Sequence, residues 1–192
     1  MHIKFTKIAI FTLVSLFSSV AFANPGRMTV WAHGGYELSE TTSVKSDFAY
    51  AGLQSAHPTG YAYVGPEFNL AKWLSVDVFG GFMTGDQGII SPRAIMVFGK
   101  FSTWTLAELY SKEYGSYVFQ MVNYQPAKWL KTGAEYESFG SWAHPAKMSH
   151  GVGPVTTLIL SDHFAVNLVL QARRNGPGDW QPEPQVRFHF SL

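Results

Sequence analysis

A strict two-residue alternation of side-chain character, sustained over long segments, most narrows what this chain can become. Successive side chains of a β-strand point to opposite faces, so alternation marks a strand with one apolar side. From Leu74, one face carries Leu74, Val76, Val78, Gly80 and Phe82, and the other Ser75, Asp77, Phe79, Gly81 and Met83. Leu130, Thr132, Ala134 and Tyr136 oppose Lys131, Gly133, Glu135 and Glu137. Phe164, Val166, Leu168, Leu170 and Ala172 oppose Ala165, Asn167, Val169, Gln171 and Arg173. Near the C-terminus, Val186, Phe188, Phe190 and Leu192 oppose Gln185, Arg187, His189 and Ser191. Each run is about ten residues long, which suits a tilted strand crossing a bilayer better than the five or six of an ordinary soluble strand.

The connections between these runs come in two lengths. Phe68-Asn69-Leu70-Ala71-Lys72-Trp73-Leu74 matches Tyr124-Gln125-Pro126-Ala127-Lys128-Trp129-Leu130, so both read as tight hairpin turns. Short turns are also expected near Lys100-Phe101-Ser102 and Ser161-Asp162-His163. Longer polar connections separate them, near 85–89, 111–115, 142–151 and 175–184. Val64-Gly65-Pro66 recurs as Val152-Gly153-Pro154 at similar places in two runs.

Residues 1–23 have the form of a cleavable leader. Lys4 and Lys7 precede an apolar stretch from Ile8 to Phe17, and Ala21-Phe22-Ala23 supplies the small-x-small cleavage pattern. Composition agrees with export into an unusual setting: aromatics reach 16%, and charged residues only 14% against a usual quarter. With no cysteine, disulfides, thiolate metal sites and cysteine nucleophiles are excluded. A formal net charge of +1 provides no basic surface for nucleic acid.

Taken with the leader, the turns holding Trp73 and Trp129, and the terminal segment Val186-Arg187-Phe188-His189-Phe190-Ser191-Leu192, the chain resembles the small Gram-negative outer-membrane β-barrels. Leu192 stands where such barrels usually end in an aromatic. The resemblance implies an all-β fold: a single antiparallel up-and-down transmembrane barrel over 24–192, located in the outer membrane. It also implies contact with outer-membrane lipid and lipopolysaccharide, and insertion by the barrel assembly machinery through the C-terminal strand. Ten strands are expected, with eight or twelve as alternatives: nine near 59–70, 74–84, 90–99, 103–111, 115–126, 130–141, 150–160, 164–174 and 183–192, and a tenth over 28–38. The tenth lets the chain enter and leave on the periplasmic side, as bacterial single-chain barrels do. Residues 39–58 are then an outer loop, in which 47–53 could form a stray strand or a loop hairpin. In 103–111, Glu108 breaks the apolar face in either phase.

If the apolar faces meet lipid, the polar ones point inward. Glu67, Asp77, Arg93, Lys131, Glu135, Glu137, Arg173 and Arg187 are the candidate lumen charges, with His33 and His189 near them. Acids and bases of comparable number favour an ion-paired plug over a polar conduit. Phe68, Trp73, Tyr124 and Trp129 are candidates for an aromatic girdle at the periplasmic headgroups. His57, Trp142, His144, Lys147, His150 and Trp180 fall on outer loops and could form a contact surface. Ser149-His150 is adjacent, so the pair cannot share a strand face as a hydrolytic pair would need. Gly176-Pro177-Gly178 lacks the Lys-Ser or Lys-Thr of a phosphate cradle, and the histidines are scattered, so neither cofactor nor metal is expected. A rim enzyme acting on lipid or peptide, and a soluble periplasmic barrel binding a small ligand, are the alternatives. Oligomeric state is left open.

Overall fold

The computed structural model describes residues 26–85, 87–112 and 115–192. The leader expected over 1–23 lies outside them. Eleven strands follow one another: β1 Arg27–Glu37, β2 Thr42–Ala51, β3 Thr59–Ala71, β4 Leu74–Met83, β5 Gln87–Phe98, β6 Phe101–Tyr110, β7 Gly115–Ala127, β8 Leu130–Ser141, β9 Ser149–Ser161, β10 Phe164–Asn175 and β11 Gln181–Ser191. One short 3-10 turn, Pro145–Lys147, interrupts the β8–β9 loop. Neighbours in sequence pair antiparallel, and β1 closes the ring by pairing in parallel with β11, Arg27 opposite Gln185 and His33 opposite Ser191.

This corrects the expected count of ten and the fully antiparallel ring. The additional strand is β2, within the segment expected to be an outer loop. Its outward face, Thr42, Val44, Ser46, Phe48 and Tyr50, is diluted by hydroxyls, and its inward face carries Ser43, Lys45 and Asp47, which hides the period-two signal. An odd ring must contain one parallel pair. The described chain therefore begins at the end bearing the longer loops and finishes at the opposite end, not both at one end as expected.

The connections alternate in length. Lys72-Trp73, Gly99-Lys100, Lys128-Trp129 and Asp162-His163 are two-residue turns at one end, joined there by 38–41. Residues 52–58, 142–148 and 176–180 are longer loops at the other end. Gly99 has φ +60°, a conformation that L side chains avoid, so this turn favours glycine. In both matched heptapeptides the last pair before the turn is Ala with Leu, Ala71–Leu74 and Ala127–Leu130, with a register shift just above it. The repeated Gly-Pro pairs also gain a meaning. Proline has no N–H to give a ladder, and the β3–β4 ladder skips from Val64–Gly80 to Glu67–Asp77, the β9–β10 ladder from Val155–Val169 to Val152–Ala172. Gly65 and Gly153 lie so close to the next strand that a Cβ would meet the Val78 and Leu170 carbonyl oxygens at 2.1 Å.

Large apolar residues are exposed on the outward faces around the ring: Phe48, Val64, Val78, Ile90, Leu109, Val122, Val152, Leu160 and Leu170. The inward faces are mixed rather than polar. Leu106, Phe119, Met121, Val155 and Val169 form one buried cluster, and Tyr63, Phe79 and Ile89 another. Glu108 ceases to be anomalous, because Leu106 and Glu108 both point inward and β6 lends the lumen apolar and charged groups alike.

Candidate functional site

The inward side chains of β7–β11 and β1 build a charge cluster around Glu135 and Glu137, 2% and 0% exposed. Two apart on one strand, these carboxylates lie about 7 Å from each other, a repulsion that only nearby cations can offset. Arg187 supplies the first, its Nη1 and Nη2 donating to the two oxygens of Glu135, each at 2.6 Å. Such bidentate pairing fixes both position and plane. Glu137 is paired by Arg27 and Arg173, and Tyr117 Oη donates to it at 2.8 Å. Arg173 also pairs with Glu183, and its Nη1 donates to Ser149 Oγ at 2.9 Å. Gln171 Nε2 donates to Glu135 at 2.6 Å while its Oε1 accepts from Arg173 at 2.7 Å. Three arginines thus meet three glutamates from four strands, β1, β8, β10 and β11. The cluster rests on apolar packing, with the Arg187 guanidinium carbon 5.3 Å from the Phe119 ring centre.

Two glycines make that reach possible. Gly151 opposes Glu137 on one side and Arg173 on the other, so all three face the lumen. A Cβ on Gly151 would meet Gln171 Oε1 at 2.2 Å and Arg173 Nη2 at 2.9 Å. The bare stretch of β9 at Gly151 and Gly153 is the floor across which side chains of β10 reach the acids of β8.

A second network runs across the closing seam toward β5. Asn167 Nδ2 lies 3.2 Å from His189 Nε2, His189 Nδ1 3.2 Å from His33 Nε2, and His33 Nδ1 2.9 Å from Asp47 Oδ1. One assignment of protons satisfies every link: Asn167 donates to His189, His189 to His33, and His33 to Asp47. Arg93 pairs with the other oxygen of Asp47 and lies over Phe79, 4.1 Å from its ring centre. Asp77 is directly opposite Arg93 in register, yet Asp77 Oδ1 and Arg93 Nη2 are both buried without hydrogen-bond partners. Glu67 accepts from Ser43 Oγ at 2.9 Å and has Lys45 at 3.4 Å.

These groups divide the lumen. A cavity of about 460 Å³ at the turn end is lined by Lys45, Glu67, Asp77, Arg93, His33 and His189. Another of about 480 Å³ at the loop end is lined by Trp31, Tyr61, Tyr63, Glu108, Tyr110 and Tyr117. Between them lies a stack of rings. Trp31 is 5.9 Å from His33 and 6.5 Å from His189, near parallel to both, with Tyr63 at 6.4 Å and Trp104 edge-on at 6.5 Å. Glu108 accepts from Tyr63 Oη at 2.8 Å and from Tyr110 Oη at 2.7 Å.

Glu135, Glu137, Arg173 and Arg187 come together in one cluster. Arg93, Asp77 and Glu67 belong to the turn-end cavity, with His189 linking toward them. Lys131, opposite Thr157, joins no ion pair among the described residues. Sequence reasoning missed Arg27, Asp47 and Glu183. Glu183 shares the phase of Gln185 and Arg187, which was a usable signal. Arg27 lies one residue before the expected strand, and Asp47 needed β2. Phe68, Trp73, Tyr124 and Trp129 are all partly exposed near the turn end, with Trp73 5.2 Å from Phe98 and Tyr124 5.1 Å from Phe101. Ser149 Oγ points inward to Asn175 at 2.7 Å, whereas His150 meets Tyr136 on the other face at 3.0 Å. Among the described residues no three His, Asp or Glu side chains converge as metal ligands would. Compared with protein-family models and with curated proteins, the sequence matches none.

Proposed function

We propose that this is an outer-membrane β-barrel whose lumen is held shut by ion pairs, with a role in membrane structure or surface contact rather than solute passage. One observation carries the reading: large apolar side chains are exposed on the outward faces of β2 to β7, β9 and β10, while arginines and glutamates are packed inside. A soluble barrel would place these the other way, and such an apolar surface would associate in water. Strands of 10 to 13 residues are long enough to cross a hydrocarbon core when tilted. The aromatics at the turn end suit the periplasmic headgroup level, which puts the longer loops outside against lipopolysaccharide. β11 is then the strand that the assembly machinery engages.

Cell fractionation tests this. The protein should follow outer-membrane markers, need detergent for extraction, and migrate faster on gels unless boiled. With Ser55→Cys, intact cells should react with an impermeant thiol reagent, and with Ala71→Cys they should not. Recovery in the osmotic-shock fluid without detergent would overturn the membrane reading, and the reverse labelling pattern would invert the topology.

A further inference from the structure

We propose that the loop-end cavity is a binding site for a small organic cation with an aromatic or aliphatic body. The inference stands on the barrel's geometry and holds whether or not the barrel lies in a membrane. Glu108 is 3% exposed and lines this cavity, yet no cationic side chain among the described residues pairs with it. Its partners are the hydroxyls of Tyr63 and Tyr110, one to each oxygen. Both hydroxyls donate and neither brings a charge, so each oxygen keeps a lone pair open to a cationic donor.

The other charges lining the cavity are already committed. Arg27 pairs with Glu137, and Arg187 is held by both oxygens of Glu135. Lys112 stands in an exposed loop and donates to Gly85 O at 2.8 Å. An anion entering here would find no free guanidinium, whereas a cation would find an uncompensated acid.

The walls match the same chemistry. Tyr61 and Tyr63 are parallel, 6.1 Å apart, and Trp31 continues the stack beyond Tyr63. Ring faces carry partial negative charge and attract ammonium groups, most strongly where water is thin. A cavity of about 480 Å³ accepts a ligand of one ring and a short amine, and a few polar groups on a mostly apolar wall are what such pockets use for orientation.

The test is calorimetric titration of the purified, detergent-solubilised protein with three probes of one shape: benzylammonium, benzyl alcohol and benzoate. Benzylammonium should bind saturably and at least about ten-fold more tightly than the alcohol, with benzoate weakest. Glu108→Gln should erase the preference for ammonium over alcohol. Because Glu108 is buried and that variant could fold poorly, Lys112→Met provides a second reading from an exposed position. Removing this cation from the rim should tighten benzylammonium binding and leave the alcohol unchanged. Equal affinity for all three probes, preference for benzoate, no saturable binding, or unchanged ammonium affinity in Lys112→Met would each overturn the assignment.

Discussion

The two halves of the lumen solve the same problem differently. On the side built by β7–β11 with β1, Glu135, Glu137 and Glu183 face Arg27, Arg173 and Arg187, and every carboxylate has a guanidinium partner. On the side built by β2–β6, Asp47, Glu67, Asp77 and Glu108 share only Lys45, Arg93 and the His33 imidazole as ion-pair partners among the described residues. Geometry explains the difference. Gly151 and Gly153 clear a path for long side chains to cross β9, whereas β3–β6 fill the equivalent space with Tyr63, Phe79, Trp104 and Tyr110 and satisfy Glu108 through hydroxyls. A saturated cluster locks strands together. Surplus acid beside rings costs stability and is kept where a site has use for it.

Removing an arginine from the saturated half should have the largest effect. Arg187→Met leaves Glu135 buried with only Gln171, and should lower the unfolding free energy by about 3–5 kcal/mol in urea titrations of the reconstituted barrel. Adding Glu135→Leu should recover most of that loss, because paired removal takes away the orphaned charge as well. A double variant as weak as the single would break the contrast between the halves.

Filling the gap in β9 comes next. Gly151→Ala pushes against Gln171 Oε1 and Arg173 Nη2, the free ends of side chains already committed to Glu135 and Glu137. A loss of about 1–3 kcal/mol is expected from the same titrations. Wild-type stability there would mean that the cluster does not depend on the glycine floor.

The division between legible and hidden follows from which signals are local. Period-two alternation and turn spacing place nine of the eleven strands to within a few residues, and the parity argument adds β1, although that argument assumed an even ring. β2 escaped because Ser46 and Thr42 dilute that face, and losing one strand reversed the inferred direction of β1. Phase alone turned Glu135, Glu137, Arg173 and Arg187 inward. Which arginine meets which acid depends on register and shear, which no single segment encodes, so the pairing of Arg93 with Asp47 rather than its neighbour Asp77 was out of reach. Glu108 was visible only as an irregularity. Its meaning lay in Tyr63, three strands away.

The smallest effect belongs to the under-compensated half. Asp77→Asn removes one surplus charge and leaves Arg93 with Asp47, so stability should hold or rise by at most about 1 kcal/mol. A loss as large as that of Arg187→Met would show Asp77 to be a structural partner of Arg93 after all.

The central claim is that ion pairs and stacked rings close the lumen, and single-channel recording in a planar bilayer tests it most directly. The wild-type protein should insert without steady conductance, and Glu135→Gln, measured on the same preparation, should unfold at a lower temperature while still failing to conduct. A stable, ohmic wild-type current whose cation preference changes in a Glu135→Gln variant of unchanged stability would contradict it.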